Sequence, residues 1–244
     1  MTSLDTFSAY ADQINLVLKK FQATQFESLD QASSLIAKAY QEHKRFLVFG
    51  SGHSHMIAEE FYARAGGLAY VTPVLQNELT LTDHPMKSTL IERTESMGTV
   101  YFDLYHMEKG DVLLVCSNSG RNALPIELAR LAKEHGLSVI AFTNTAQTKI
   151  VSSRHSKGKN LDHYAHVVID NCGAFGDAGF DIGDGIKMGS TSTITGAFMA
   201  ESLSILVATK IRALGLELPV FRSSNLDGAD DHNKQLMERY CKMF

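Results

Sequence analysis

Apolar residues in the first part of the chain recur every three or four positions, which is the spacing of one face of an α-helix. Two such stripes follow one another: Phe7, Ala11, Ile14, Leu18 and Phe21, then Phe26, Leu29, Ala32, Ile36, Ala39 and His43. They predict two helices. We therefore expect residues 1–44 to form a helical hairpin that packs against the rest of the chain.

Short apolar runs then alternate with helical segments, a pattern typical of an α/β fold. The runs that predict strands are residues 45–49, 68–71, 113–116, 137–142 and 166–170. The third and fourth runs enclose an amphipathic helix, and the whole unit has the length of a parallel crossover. Residues 87–105 are less regular and predict a short helix followed by an extended stretch at 100–102.

Three segments rich in Ser, Thr, Asn and Gly each precede a predicted helix. We call them loop A (residues 50–54, Gly-Ser-Gly-His-Ser), loop B (residues 117–122, Ser-Asn-Ser-Gly-Arg-Asn) and loop C (residues 189–193, Gly-Ser-Thr-Ser-Thr). Backbone N–H groups at the start of a helix attract anions, and the hydroxyl and amide side chains add donors. Phosphate fits this chemistry, although the same residue types are frequent in ordinary strand-to-helix turns.

The sequence lacks the motifs of several common cofactor-binding and catalytic sites. His55 stands where the dinucleotide-binding pattern requires its third Gly, and Thr72 and Pro73 stand where an acid should end the next strand. The chain contains neither a G-x-x-x-x-G-K-[ST] phosphate loop nor a G-x-S-x-G nucleophile elbow. We therefore expect no NAD, no other cofactor, and neither ATPase nor serine-hydrolase chemistry.

The composition narrows the possible partners. The 244 residues carry a formal net charge of −4 without any run of five like charges, so neither nucleic acid nor a membrane surface is an expected partner. Three well-separated cysteines and no signal peptide predict a cytoplasmic protein. The most apolar segment, residues 194–216, contains Glu201, Lys210 and Arg212, which predicts a buried helix rather than a membrane span.

Three such loops in one alternating α/β chain resemble the SIS (sugar isomerase) family of phosphosugar-binding domains. Loop B is similar to the family's Ser/Thr-x-Ser-Gly-x-Thr phosphate loop, with Asn122 in place of the last Thr. Loop A is similar to the first substrate loop, and loop C to a hydroxyl cluster of the family's muramic acid phosphate etherases. The resemblance implies a flavodoxin-like, five-stranded parallel sheet with helices on both faces over residues 45–216, followed by a tail (217–244) with a short helix.

The resemblance also implies a sugar phosphate ligand and a homodimer or homotetramer with sites near subunit contacts. The residues expected to bind substrate are Gly50, Ser51, Gly52, Ser54, Ser117, Asn118, Ser119, Gly120, Asn122, Ser190 and Thr191. Phosphoheptose isomerases of the family have a His and a Glu on the helix after the first loop. Glu60 and Arg64 stand at those positions here, which argues against heptose isomerisation.

Moving a carbonyl group between C1 and C2 of a sugar phosphate requires a base and a group that assists ring opening. Glu78 follows the second predicted strand and is the candidate base. Glu60 is the second candidate, although Arg64 four residues later makes a helix ion pair equally consistent. His232 is the candidate for assisting ring opening, and it would reach the site of a neighbouring subunit. The residues around it also fit the start of a helix, which would give His232 a structural role. His84 is the second candidate for ring opening.

No histidine pair has the spacing of a zinc signature, so we expect no obligatory metal. The leading hypothesis is an aldose–ketose isomerase that works through an enediol intermediate. The alternatives are a non-catalytic phosphosugar sensor and an etherase or lyase that acts on an amino-sugar phosphate.

Overall fold

The computed structural model describes residues 2–241 and contains seven strands and eight α-helices within them. The strands are β1 (Phe46–Gly50), β2 (Val71–Pro73), β3 (Val112–Cys116), β4 (Ser138–Thr143), β5 (Val167–Asp170), β6 (Ala178–Asp181) and β7 (Lys187–Ser190). The helices are α1 (Ser3–Gln41), α2 (His55–Phe61), α3 (Lys87–Glu92), α4 (Ser96–Leu104), α5 (Ala123–Glu134), α6 (Thr145–Thr148), α7 (Ser192–Ala213) and α8 (Ala229–Tyr240). Strands β1 to β5 form a parallel sheet in the order β2-β1-β3-β4-β5, and β6 pairs with β7 in a separate antiparallel ribbon.

Helices cover both faces of the parallel sheet, which explains why β1 and β3 are apolar at almost every position. Along β1, Phe46 and Val48 face a core shared with α1 and α7, whereas Leu47 and Phe49 face a second core shared with α4 and α5. All four side chains are fully buried. The predicted five-stranded parallel sheet flanked by helices on both faces is confirmed.

The N-terminal segment is a single 39-residue helix, so the predicted helical hairpin is wrong. The buried face of α1 continues through Phe21, Gln25 and Leu29, while Phe26 is largely exposed. Gln25 is accepted on this face because its side-chain oxygen receives a hydrogen bond from the backbone N–H of Asp170 in β5, at 2.9 Å. Because a strand of the sheet supplies the hydrogen bond that this polar side chain needs, the helix continues through Gln25 and both apolar stripes belong to it.

Two local predictions also need correction. The second strand lies at Val71–Pro73 rather than at 68–71, because Leu68 pairs with Val220 from the C-terminal part of the chain. Residues 100–102 belong to α4 instead of an extended stretch, and Tyr101 there packs in the core. Both differences arise from contacts between residues that are distant in sequence.

Helix α7 is long and apolar enough to cross a membrane by length and composition. In the fold its Met199, Leu203 and Val207 side chains are buried in the core that α1 and the sheet share. This packing agrees with the core helix that the sequence predicts.

Asp111, just before β3, ties together the starts of two neighbouring strands. Its fully buried carboxylate accepts hydrogen bonds from the backbone N–H of Arg45 at 2.9 Å and from the Arg45 guanidinium at 2.6 and 3.1 Å. Because Arg45 directly precedes β1, this pair aligns β1 with β3.

We expect Asp111→Ala to lower the free energy of unfolding by about 3 kcal/mol, because it leaves the partly buried Arg45 guanidinium without its counter-charge and the backbone N–H groups of Arg45 and Glu108 without an acceptor. Urea denaturation measures the change. Glu42→Ala removes only an exposed ion pair with Lys38 and should leave the unfolding midpoint nearly unchanged. Coincident curves for wild type and Asp111→Ala would contradict the assigned role.

Candidate functional site

The parallel sheet changes strand order between β1 and β3, because the chain leaves β1 for β2 on one side and later enters β3 on the other. Open parallel sheets bind ligands at the carboxyl ends of the strands beside such a switch point. Loop A follows β1 and loop B follows β3, and Gly50 and Cys116 at the strand ends are register partners. The two loops therefore lie side by side, and we call the space between them the cleft.

Loop A folds back tightly over the end of β1. A Cβ atom on Gly50 would lie 2.1 Å from the backbone oxygen of Ser54, so only Gly fits there. Gly52 has a positive φ of 58°, a conformation that favours Gly. The backbone N–H of Ser54 donates to the carbonyl oxygen of Ser51 at 3.1 Å. The two predicted glycines are therefore required by the backbone path of the loop.

Gly120 sets the path of loop B. Its φ is 60°, and a Cβ atom there would lie 2.6 Å from Thr148 Cγ2 and 2.8 Å from Thr143 Oγ1. Its carbonyl oxygen accepts a hydrogen bond from the backbone N–H of Leu161 at 2.9 Å. Loop B is thus pressed against β4 and the segment that follows it, which holds the loop at the start of α5.

The small side chains of loop B divide into structural and open positions. Ser117 Oγ accepts a hydrogen bond from the backbone N–H of Gly120 at 3.3 Å, and Asn118 Oδ1 accepts one from Asn171 Nδ2 at 2.5 Å. The hydroxyl of Ser119 makes no hydrogen bond to any of residues 2–241 and is half-buried. Among the predicted loop B ligands, Ser119 is therefore the one whose side chain has no hydrogen-bond partner in the described residues, which leaves its hydroxyl free to turn toward an anion.

Glu92, the last residue of α3, connects the two loops and is not among the residues that the sequence predicts for the site. One carboxylate oxygen accepts a hydrogen bond from Ser51 Oγ at 2.8 Å, and the other accepts one from Asn122 Nδ2 at 2.6 Å. Burial raises the pKa of Glu92 despite the Ser51 hydrogen bond and the nearby charges of Arg93 and Arg154. No local signal separates Glu92 from other glutamates of this segment, since only the fold brings α3 to the cleft.

Asn122, which stands where the family loop has Thr, lies between opposite charges. Its amide N–H donates to Glu92, and its amide oxygen accepts a hydrogen bond from the Arg154 guanidinium at 2.6 Å. The backbone N–H of Arg154 also donates to the carbonyl oxygen of Arg121 at 2.8 Å. Both polar ends of the Asn122 side chain are thus engaged in holding charged groups beside the cleft.

Glu78 lies on a short 3-10 helix just after β2, at the same edge of the sheet as loops A and B. Its side chain is exposed and makes no hydrogen bond to the part of the chain that the structure describes. Burial, together with the charge of Glu78, raises the pKa of Tyr101 to about 12. The reserve residue His84 accepts a hydrogen bond from the backbone N–H of Met86 at 3.1 Å. The position of Glu78 is compatible with a base, and its role stays a prediction.

Loop C is occupied by a carboxylate of the chain itself. Asp177 accepts hydrogen bonds from the hydroxyls of Ser190 and Ser192 and from the backbone N–H groups of Thr191 and Ser192, the latter two at 3.1 and 2.8 Å. Burial raises the pKa of Asp177, but these bonds lower it by more. Substrate binding by Ser190 and Thr191 stays a prediction: Asp177 would have to release Ser190 Oγ and the Thr191 backbone N–H, whereas Thr191 Oγ1 is buried without a partner in the described residues.

His232 is far from the cleft of its own chain. It lies on α8, with Nε2 3.0 Å from the carbonyl oxygen of Val220, which neighbours the amino end of β2. Loops A and B lie at the opposite, carboxyl edge of the sheet. His232 would therefore have to act in the site of another subunit, as the sequence analysis proposed, and this stays a prediction.

Glu60 forms the helix ion pair with Arg64 that was the alternative to a catalytic role. Its carboxylate contacts the guanidinium of Arg64, which also lies 3.0 Å from Glu201 on α7. This exposed network ties α2 to α7 and gives Glu60 a structural explanation.

One cluster of side chains in the described residues is close enough to hold a metal ion: Glu95, Glu127 and His155. His155 Nδ1 accepts a hydrogen bond from the backbone N–H of Lys157 at 3.1 Å, so Nε2 carries the proton and donates to Glu127 at 2.8 Å. Arg130 donates to both oxygens of Glu127. A metal-binding imidazole nitrogen must be unprotonated, so these donors fit a hydrogen-bonded clamp better than a metal site.

A family model for the SIS domain matches residues 9–144. The chain therefore belongs to the SIS domain family, as the loops predicted. Among its relatives, a UPF0309 protein of Halalkalibacterium halodurans is 44% identical over 243 residues, covering 99% of this chain and 100% of the relative. A UPF0309 protein of Caldanaerobacter subterraneus is 40% identical over 237 residues, with 96% of each chain covered.

Two solved structures illustrate the shared fold. A phosphoheptose isomerase from Francisella tularensis has a TM-score of 0.54 at 15% identity, covering 85% of this chain and 98% of that one. The Vibrio vulnificus NanR protein, complexed with ManNAc-6P, has a TM-score of 0.50 at 14% identity, covering 97% of this chain and 69% of that one. At these identities the likeness extends to the fold alone.

Glu92 should make stability depend on pH. Because its pKa is raised in the folded state, the folded protein keeps a proton that the unfolded chain has lost, and stability falls as the pH rises through this window. Glu92→Gln removes the charge and keeps two hydrogen bonds, since an amide accepts from Asn122 and donates to Ser51 Oγ.

We therefore expect Glu92→Gln to unfold at a higher temperature than wild type near about pH 7 and at the same temperature below about pH 4. Thermal unfolding at the two pH values measures this difference. A variant that is less stable than wild type at neutral pH would argue against a costly charge at this position.

Proposed function

We propose that the protein binds a sugar phosphate in the cleft, with the phosphate group at loop B. The start of α5 supplies backbone donors and the positive end of a helix dipole. Ser119 adds a hydroxyl that has no partner among residues 2–241. Membership of the SIS family, whose fold is a phosphosugar-binding one, supports this ligand class.

The proposed reaction is the interconversion of an aldose phosphate and a ketose phosphate through an enediol. The observation that carries it is the position of Glu92, whose carboxylate lies between the loops with a raised pKa. In the reaction a base takes the proton from C2 of the aldose, and the protonated base, which can exchange its proton with water, returns a proton to C1 while the hydroxyl proton moves from O2 to O1. A carboxylate with a raised pKa suits both transfers.

Glu78, the base predicted from the sequence, is the second candidate. It lies at the correct edge of the sheet, but no hydrogen bond joins it to loop A or loop B in the described chain. Glu92 is bonded to both loops, so we rank Glu92 first.

We further propose that the protein is a cytoplasmic homodimer or homotetramer in which the partner subunit's His232 assists ring opening. Apolar side chains exposed on α1 and α7, including Phe26, Phe198 and Ile205, line a groove that supports a subunit contact. The scheme uses no cofactor and no nucleic acid.

A non-catalytic phosphosugar sensor is the alternative, because it would use the same phosphate site. Deuterium incorporation separates the two: an isomerase exchanges a carbon-bound substrate proton with deuterated solvent, and a sensor does not. The etherase or lyase hypothesis rested on loop C, whose groups are bound to Asp177 here.

Ser119→Ala should weaken binding of inorganic phosphate and of sugar phosphates by about 1.5–3 kcal/mol, which is the contribution of a hydrogen bond to a charged group. Isothermal titration calorimetry measures the loss. Ser8→Ala, on the exposed side of α1, is the matched control and should bind like wild type. Unchanged affinity in Ser119→Ala would remove loop B as the phosphate site.

Glu92→Gln should keep affinity for the sugar phosphate and lose turnover by about 100-fold or more, because the amide cannot accept a proton. Tetrose to heptose phosphates screened by thermal shift identify the substrate, and deuterium exchange then reports proton abstraction. Glu78→Gln is tested in parallel. Full exchange in Glu92→Gln and none in Glu78→Gln would transfer the role of base to Glu78.

A further inference from the structure

Three arginine side chains from different parts of the chain gather beside the cleft. Arg93 directly follows α3, Arg121 belongs to loop B, and Arg154 lies in the segment of residues 149–160. Arg154 is bonded to Asn122, and Arg121 donates to Ser152 Oγ at 3.2 Å. We call Arg93, Arg121 and Arg154 the arginine triad. Besides burial, the charges of the other two members lower the pKa of Arg154, so each of them is close enough to Arg154 to repel its guanidinium group.

No member of the triad forms an ion pair with a carboxylate within residues 2–241. Arginines elsewhere in the chain commonly do: Arg45 with Asp111, Arg64 with Glu60, Arg130 with Glu127 and Arg239 with Glu217. Arg121 Nε is buried without a hydrogen-bond partner among the described residues. The triad therefore retains unused donors and unbalanced charge.

Two carboxylates that contact the segment of Arg154 are engaged with other groups. Glu95 accepts hydrogen bonds from the backbone N–H and the hydroxyl of Ser156, at 2.8 and 2.7 Å. Glu127 is held by Arg130 and by His155. Glu92 is close enough for its charge to act on Arg93 and Arg154, but one carboxylate does not balance three guanidinium groups.

The segment that carries Arg154 is held in place by buried contacts. The neighbouring His155 side chain is fully buried and donates to Glu127. The side-chain N–H groups of Asn160 donate to the carbonyl oxygens of Thr148 and Val151, at 2.8 and 2.9 Å. Arg154 itself is exposed, and these contacts hold its segment in one position beside the cleft, which pre-organises the guanidinium for a ligand.

We infer that the natural substrate carries a second acidic group besides its phosphate, and that the arginine triad binds this group. The inference rests on the proposed function, because it assigns the phosphate to loop B. Loop B has its own donors for that phosphate, so a neutral sugar phosphate would leave the triad unmatched. Guanidinium groups bind carboxylates and phosphates through paired hydrogen bonds. The substrate class is therefore a sugar acid phosphate or a sugar bisphosphate.

Matched ligand pairs test this specificity. An aldose phosphate and its carboxymethyl ether share the same C1 aldehyde and differ by one carboxylate carried on a sugar hydroxyl; sugar bisphosphates form a third arm. Each pair is prepared for sugars from tetrose to heptose. We expect wild type to bind the acidic ligand of at least one pair about 10-fold or more tightly than the neutral ligand of that pair. Arg154→Gln should reduce this preference below about 3-fold and change the neutral affinity much less.

Two further variants complete the design. Arg222→Gln removes an exposed arginine near the amino edge of the sheet and should keep the full preference, which separates local binding from long-range attraction. Arg93→Gln, also at an exposed position, repeats the test if Arg154→Gln does not fold.

The outcomes distinguish the inference from the function on which it rests. A neutral aldose phosphate that binds wild type, loses affinity in Ser119→Ala and is bound as tightly as every acidic partner would overturn this inference and leave the proposed function standing. Equal losses for neutral and acidic ligands in Arg154→Gln would also overturn it. Failure of wild type to bind any of these ligands would refute the proposed function, and the inference with it.

Discussion

The carboxylate of Glu92 joins the ends of two neighbouring strands, and the geometry of the cleft depends on it. Ser51 reaches it from the carboxyl end of β1 and Asn122 from that of β3. Its raised pKa reflects the free energy needed to keep a charge partly out of water. The fold sustains this cost because helices bury the sheet on both faces, and the packing energy of the two cores offsets it.

The charged groups beside the cleft are arranged around the Glu92 carboxylate. Asn122 separates Glu92 from Arg154, and its amide is oriented by both, since the N–H side faces the anion and the oxygen faces the cation. A buried clamp of His155 and Glu127 holds the segment that carries Arg154. A chain with an overall negative charge thus concentrates positive charge beside one cleft, which favours the approach of small anions without attracting nucleic acid in general.

The parts of this architecture that could be predicted are those written in contiguous residues. The strands β1, β3, β4 and β5 are short apolar runs bounded by turns, and loop B is a strand-to-helix turn whose Gly120 needs a positive φ. The continuity of α1 could not be predicted, because Gln25 interrupts the apolar stripe and is satisfied only by Asp170 in β5. The occupation of loop C by Asp177 escaped prediction for the same reason, since its partners lie more than ten residues away.

By itself the sequence determined the alternation of strands and helices and the position of the Gly- and hydroxyl-rich loops before three helices, because each follows from backbone preferences and apolar periodicity over a few neighbouring residues. The tertiary structure alone decided which charged groups meet at the cleft. Glu92, Asn122 and Arg154 are separated by about thirty residues at each step, as their hydrogen bonds record. The pKa of Glu92 and the unbalanced charge of the arginines depend on burial and distance, and these quantities exist only once the chain has folded.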